Sequence, residues 1–225
     1  MLILLTGCTS SNGPSSGSTE TLEVFTPGEA LAADQMRFSF LGTSFLPRIA
    51  QQCNSVFVEL GNGDSFVFDF GSGVSSKYVA MGIPPSRMYK VFLTHLHGDH
   101  VNDLITLCYF GPSQDRKSPL YLYGPSADST DEGTLAFADN LKKLMKWHEE
   151  AFSFIPTGQK TVGDGYDIVA KELPYMTVGG VAYEATASKS LISRRCTTVT
   201  AASASSWNGM ACRWSFPATP GRTTT

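Results

Sequence analysis

Residues 94–100 read Thr94-His95-Leu96-His97-Gly98-Asp99-His100, and three of the chain's four histidines fall in these seven positions. Side chains packed this closely must converge, and imidazole plus carboxylate is the donor set that suits zinc. His95, His97, Asp99 and His100 are therefore the candidate metal ligands. The run before them, Lys90-Val-Phe-Leu-Thr94, is short and apolar and leaves a Pro-containing loop, as a buried strand does. A strand ending in such a cluster places the site at the C-terminal edge of a sheet, where α/β proteins usually bind ligands.

The rest of the chain narrows the class. Its 225 residues make one ordinary domain, or one domain with tails. A net charge of −3 with 16% charged residues leaves no basic face for bulk attraction to nucleic acid. That argues against a polyanion partner but leaves room for a small phosphorylated or sulfated substrate. Five cysteines, an odd number with no C-x-x-C spacing, supply neither a disulfide framework nor a zinc knuckle. Cys53 and Cys108 lie in apolar surroundings and read as inert core residues. No apolar stretch approaches the roughly 20 residues that cross a bilayer.

The N-terminus has its own signal. Met1-Leu-Ile-Leu-Leu-Thr-Gly-Cys8 runs into a Ser/Gly-rich stretch, and Leu5-Thr-Gly-Cys8 resembles the lipobox of a bacterial lipoprotein. On this reading Cys8 is lipidated, residues 1–8 are a partial signal segment, and residues 9–35 are a flexible tether. Such a protein would sit in the bacterial cell envelope, held to the membrane by its lipid. A basic n-region is missing, so either the start codon is placed too late or the segment is a first strand with an accidental cysteine. In that case a cytoplasmic location is the alternative.

Residues 36–184 carry a globular pattern. Met36–Leu41 alternates as a strand, and Ser55–Leu60 and Ser65–Phe70 form a hairpin across Gly61-Asn-Gly-Asp64. A short helix is expected over Val74–Met81, the cluster strand over Lys90–Leu93, and a helix over Val101–Phe110. Leu120–Tyr123 forms another strand and Asp131–Phe154 contains a long amphipathic helix. His148, on a charged stretch of that helix, reads as a solvated surface histidine. Hairpins followed by β-α alternation indicate a layered α/β domain.

These residues carry a resemblance. Thr94–His100, with Asp69-Phe-Gly-Ser-Gly73 upstream and Leu41-Gly-Thr-Ser44 at the first turn, is similar to the metallo-β-lactamase-fold superfamily. Within it the chain looks most like the ribonuclease Z and arylsulfatase-like branch. Tyr123-Gly-Pro125 and Trp147 further resemble a subgroup named for guanitoxin biosynthesis. The resemblance implies the N-terminal portion of an αββα sandwich and two zinc ions. His95 and His97 would bind one ion, and Asp99 and His100 the second. Two zincs hold a bridging hydroxide that attacks a small ester, phosphodiester or sulfate ester, and Asp99 also orients it. Asp69 would steady the ligand loop from behind, or else be a plain turn-forming residue before Gly71.

The family pattern also asks for a third histidine, a bridging aspartate and a final histidine from later segments. No histidine follows His148, and no Asp or Glu follows Glu184. Residues 185–225 have neither helical nor strand period, and the expectation is that they are read in the wrong frame. A frame shifted to the third base of each codon admits a histidine across Cys196 and Thr197. The same frame admits a Gly-Asp-Thr between Pro217 and Pro220. The overall reading is a zinc-dependent hydrolase; the alternative is a non-catalytic zinc-binding lipoprotein or an inactive truncated product. Metal binding is expected in either case, and the oligomeric state is left open.

Overall fold

The computed structural model describes residues 30–33, 35–152, 162–176, 181–185, 194–199 and 211–213. The expected lipid attachment site at Cys8, and most of the segments 1–35 and 185–225, lie outside them. The elements run β1 (Met36–Ser44), β2 (Gln52–Cys53), β3 (Ser55–Leu60), β4 (Ser65–Phe68), α1 (Val74–Ala80) and β5 (Lys90–Phe92). They continue with α2 (Gly98–Val101), α3 (Leu104–Phe110), β6 (Leu120–Pro125), α4 (Thr134–Phe152) and β7 (Ile168–Leu173). A final group holds β8 (Val181–Ala185), β9 (Arg194–Val199) and β10 (Ala211–Arg213).

The main sheet has the order β2-β1-β3-β4-β5-β6-β7. Its first half is antiparallel through β1, β3 and β4, and β4 to β7 are parallel. The β3–β4 hairpin turns where expected, with Gly63 at φ 86 supplying the left-handed residue.

Strand alternation sorts the core into two faces. Phe57, Val67, Val91, Leu120 and Leu122 face the helices, packing on Val74, Tyr78, Leu104, Leu107, Leu141 and Met145. Val58, Leu60, Phe66 and Phe92 point the other way and meet Ala182 of β8. Helices, large sheet and small sheet give the helix–sheet–sheet layering of an αββα sandwich, and the α/β expectation holds. Each fully buried apolar side chain stabilises this arrangement by about 1.5–3 kcal/mol.

Several boundaries differ from the sequence reading, three of them near the site or in the long helix. The second hairpin strand stops at Phe68, because Asp69 takes φ 59, a left-handed backbone that ends the ladder. The helix expected over Val101–Phe110 is two helices, starting at Gly98 and broken near Asn102-Asp103, where the Asp103 N–H turns away to the Phe70 carbonyl (3.1 Å). The long helix begins at Thr134 rather than Asp131, with the Glu172 carboxylate of β7 accepting the Leu135 N–H at 2.9 Å.

His148 is a correction. It is half-buried, not solvated: its Nε2 lies 2.9 Å from the Tyr109 carbonyl, and its ring stacks on Phe152 at 4.5 Å. Tyr109 and Tyr166 close around it, at 4.7 and 5.9 Å between ring centroids. The imidazole ties α4 to the end of α3.

Candidate metal centre

Two loops build the site, each leaving the C-terminal end of a parallel strand. β5 delivers Thr94 and the ligand run, and β4 delivers Asp69 through Gly73. Their close approach depends on Gly71, where a Cβ would stand 1.9 Å from the Asp99 carbonyl. Backbone bonds lock them together, Phe70 N–H to His100 O at 2.7 Å and Asp103 N–H to Phe70 O at 3.1 Å.

Asp69 is buried, and its carboxylate works entirely on the ligand loop. It accepts the Thr94 N–H at 2.8 Å, the Thr94 hydroxyl at 2.8 and 3.0 Å, and His100 Nδ1 at 2.7 Å. The left-handed backbone at Asp69 costs about 1 kcal/mol, which these bonds offset. With Nδ1–H committed to Asp69, the lone pair of His100 sits on Nε2 and faces Asp99.

The donors of His95, Asp99 and His100 all lie within 4.8 Å of one another. His100 Nε2 and Asp99 Oδ2 are 3.2 Å apart. Two ligands on one tetrahedral zinc, with bonds of about 2.0–2.1 Å, stand about 3.3 Å apart, so this pair is already at ligand spacing. The His95 ring lies 3.9 Å from His100 and 4.7 Å from His97, centroid to centroid. His97 is exposed and stays outside the converging three. The residues present fit a divalent metal in donor type and in spacing.

Electrostatics follow from the packing. Burial lowers the His95 pKa, and neighbouring His100 lowers it further, keeping the ring neutral and ready to bind metal. Burial would lower His100 too, but its hydrogen bond to Asp69 and the Asp69 charge outweigh that, and its pKa is raised. Cys53 and Cys108 are buried, and burial raises both thiols, Cys108 to about 12, so neither is a reactive thiolate.

A cavity of about 400 Å³ opens beside the loop, between His97, Asp99 and Asn102 on one side and Phe45, Leu46 and Pro47 on the other. Among the described residues, no Lys or Arg lines it. The sequence reading missed Asn54, whose side-chain nitrogen lies 3.1 Å from Asp99 Oδ2 and 3.0 Å from His100 Nε2. No local pattern marks it, because its partners are more than forty residues away.

Residues 48–139 match the Metallo-beta-lactamase superfamily. Those 92 of 225 residues, about two fifths of the chain, resemble that superfamily. Among relatives, ribonuclease Z of Pyrococcus horikoshii is 36% identical over 92 residues, covering 40% of this chain and 30% of that protein. Ribonuclease Z of Anoxybacillus flavithermus is 34% identical over 119 residues, covering 51% of this chain and 38% of the relative. The crystal structure of human tRNase Z, short form, aligns at 24% identity with a TM-score of 0.46, covering 62% of this chain and 46% of that one. The chain thus matches 30% to 38% of the length of these two curated relatives. The matched segment contains the whole Thr94–His100 loop and Asp69, so the region of resemblance and the converging candidate ligands coincide.

Proposed function

We propose that this domain is the metal-binding part of a zinc-dependent hydrolase that binds two zinc ions and acts on a small ester, phosphodiester or sulfate ester. The observation that carries it is the convergence of His95, Asp99 and His100 within 4.8 Å, with His100 oriented by Asp69. His95 and His97 would hold one ion, and Asp99 and His100 the other. Bound zinc supplies Lewis acidity and a water acidic enough to act as nucleophile near neutral pH. The chain's own residues orient the ligands: Asp69 fixes the His100 tautomer, and Thr94 joins Asp69 to the strand end. Asp99, which lines the cavity, would accept a proton or hydrogen bond from the attacking water.

A small substrate is favoured over RNA, although the relatives are named ribonucleases. The cavity is walled by Phe45, Leu46 and Pro47, with no Lys or Arg among the described residues, and net charge is −3. Hydrolysis of p-nitrophenyl acetate, bis-p-nitrophenyl phosphate, p-nitrophenyl sulfate and a labelled RNA by the zinc-loaded protein tests this. Turnover of one small substrate, abolished in His95→Ala, is expected. Cleavage of RNA alone would overturn the substrate class, and no turnover at two zincs per chain would overturn the enzyme.

A second reading is a non-catalytic zinc-binding lipoprotein, or an inactive product. It is favoured by the count of donors: among the described residues one three-member cluster converges, enough for one ion. Zinc content separates the two, two ions for the hydrolase and one or none for the alternative. We further propose that Cys8 is lipidated and that the protein works at the bacterial cell envelope, a reading supported by the Leu5–Cys8 pattern and the Ser/Gly tether. The proposed out-of-frame origin of residues 185–225 belongs to the second reading, in which this chain lacks the later ligands and is inactive.

A further inference from the structure

Asn54 joins β2 to β3 and is gripped at both of its backbone groups. Its N–H donates to the Asp99 carbonyl and its own carbonyl accepts the Gly71 N–H, each at 3.0 Å. The side chain is thereby held against the ligand loop. Its amide nitrogen stands 3.1 Å from Asp99 Oδ2 and 3.0 Å from His100 Nε2, and those two stand 3.2 Å apart.

These three atoms form a nearly equilateral triangle. A circle through them has a radius of about 1.8 Å, shorter than the zinc–nitrogen and zinc–oxygen bonds of about 2.0–2.2 Å. A single ion could therefore reach all three atoms at bonding distance. The triangle matches one face of a tetrahedral zinc site, whose edges are about 3.3 Å.

The terminal atoms of an asparagine amide exchange by a half turn that leaves its outline unchanged. Opposite a carboxylate and an imidazole lone pair, the N–H end is favoured. Opposite a dication the oxygen is favoured, as in sites where Asn carbonyls bind metal directly. Since Asp69 holds the His100 Nδ1–H, His100 Nε2 faces the triangle as an acceptor.

We propose that Asn54 is a third ligand, through Oδ1, of the ion held by Asp99 and His100. This rests on the zinc-centre reading above. It completes a three-donor set for that ion with one charged and two neutral ligands, drawn from two separate parts of the chain.

The test is zinc affinity of the full chain, read by competition with a chromophoric chelator, for wild type, Asn54→Ala, Asn54→Asp, Asp99→Ala and His100→Ala. The visible absorption of bound Co²⁺ is read alongside. Asn54→Ala should weaken zinc by about 100-fold or more, beyond the usual effect of a residue that merely supports a ligand. Asn54→Asp, which keeps an oxygen at the vertex, should bind within about threefold of wild type or tighter, and should alter the Co²⁺ spectrum. If Asn54→Asp binds as poorly as Asn54→Ala, the residue only donates a hydrogen bond and the proposal fails. Wild-type affinity in Asn54→Ala, with binding lost in Asp99→Ala and His100→Ala, also overturns it. Unchanged binding in Asp99→Ala and His100→Ala would instead overturn the metal centre itself. Should Asn54→Ala fail to fold, Asn54→Asp alone decides.

Discussion

Asp69 shows how much a single residue sets at this site. It orients His100, raises its pKa and ties Thr94 to the strand end. Asp69→Asn keeps the shape but loses the charge, and zinc affinity should fall by about 10–100-fold while far-UV circular dichroism is unchanged. The pH dependence follows with a definite sign. Because the folded pKa of His100 is raised, its protonated form stabilises the zinc-free fold. That contribution is full below the unfolded value of about 6.5 and fades as pH rises through the higher folded value. Zinc needs the neutral ring, so its affinity should climb over the same window. In Asp69→Asn the climb should begin at lower pH; titrations between about pH 5.5 and 8 measure both curves. An identical pH profile in the two proteins would contradict the role of Asp69.

At the scale of elements, α3 and α4 are joined through His148, which bonds to the Tyr109 carbonyl and stacks on Phe152. His148→Ala should cost about 1–3 kcal/mol, measured by denaturant unfolding, with zinc affinity unchanged. A loss of zinc there would mean that the histidine acts on the centre. The strands, α1 and the ligand run were legible because their signals are local: alternation, a Gly-rich turn, four donors within six residues. His148 was misread because the aromatic rings around it come from α3 and the segment before β7. Asn54 was invisible for the same reason, as only folding brings the start of β3 against the metal loop. The broken helix after His97 hinged on the Asp103 N–H, whose partner Phe70 is remote in sequence.

For the whole molecule, the lipid-anchor reading makes a separable prediction. The protein expressed in a bacterial host should partition with membranes and be released by detergent, and Cys8→Ser should move it to the soluble fraction. Soluble behaviour of the unmodified protein would end that reading without touching the metal centre. The candidate metal centre draws on two loops, from β4 and β5, braced by the β2–β3 junction, and the sheet holds all three in register. The most direct measurement is therefore the zinc content of the purified full chain by elemental mass spectrometry, beside His95→Ala and His100→Ala. Wild type should retain close to two zincs per chain and each variant should lose most of its metal, whereas equal zinc in all three proteins would contradict the assignment of the Thr94–His100 loop.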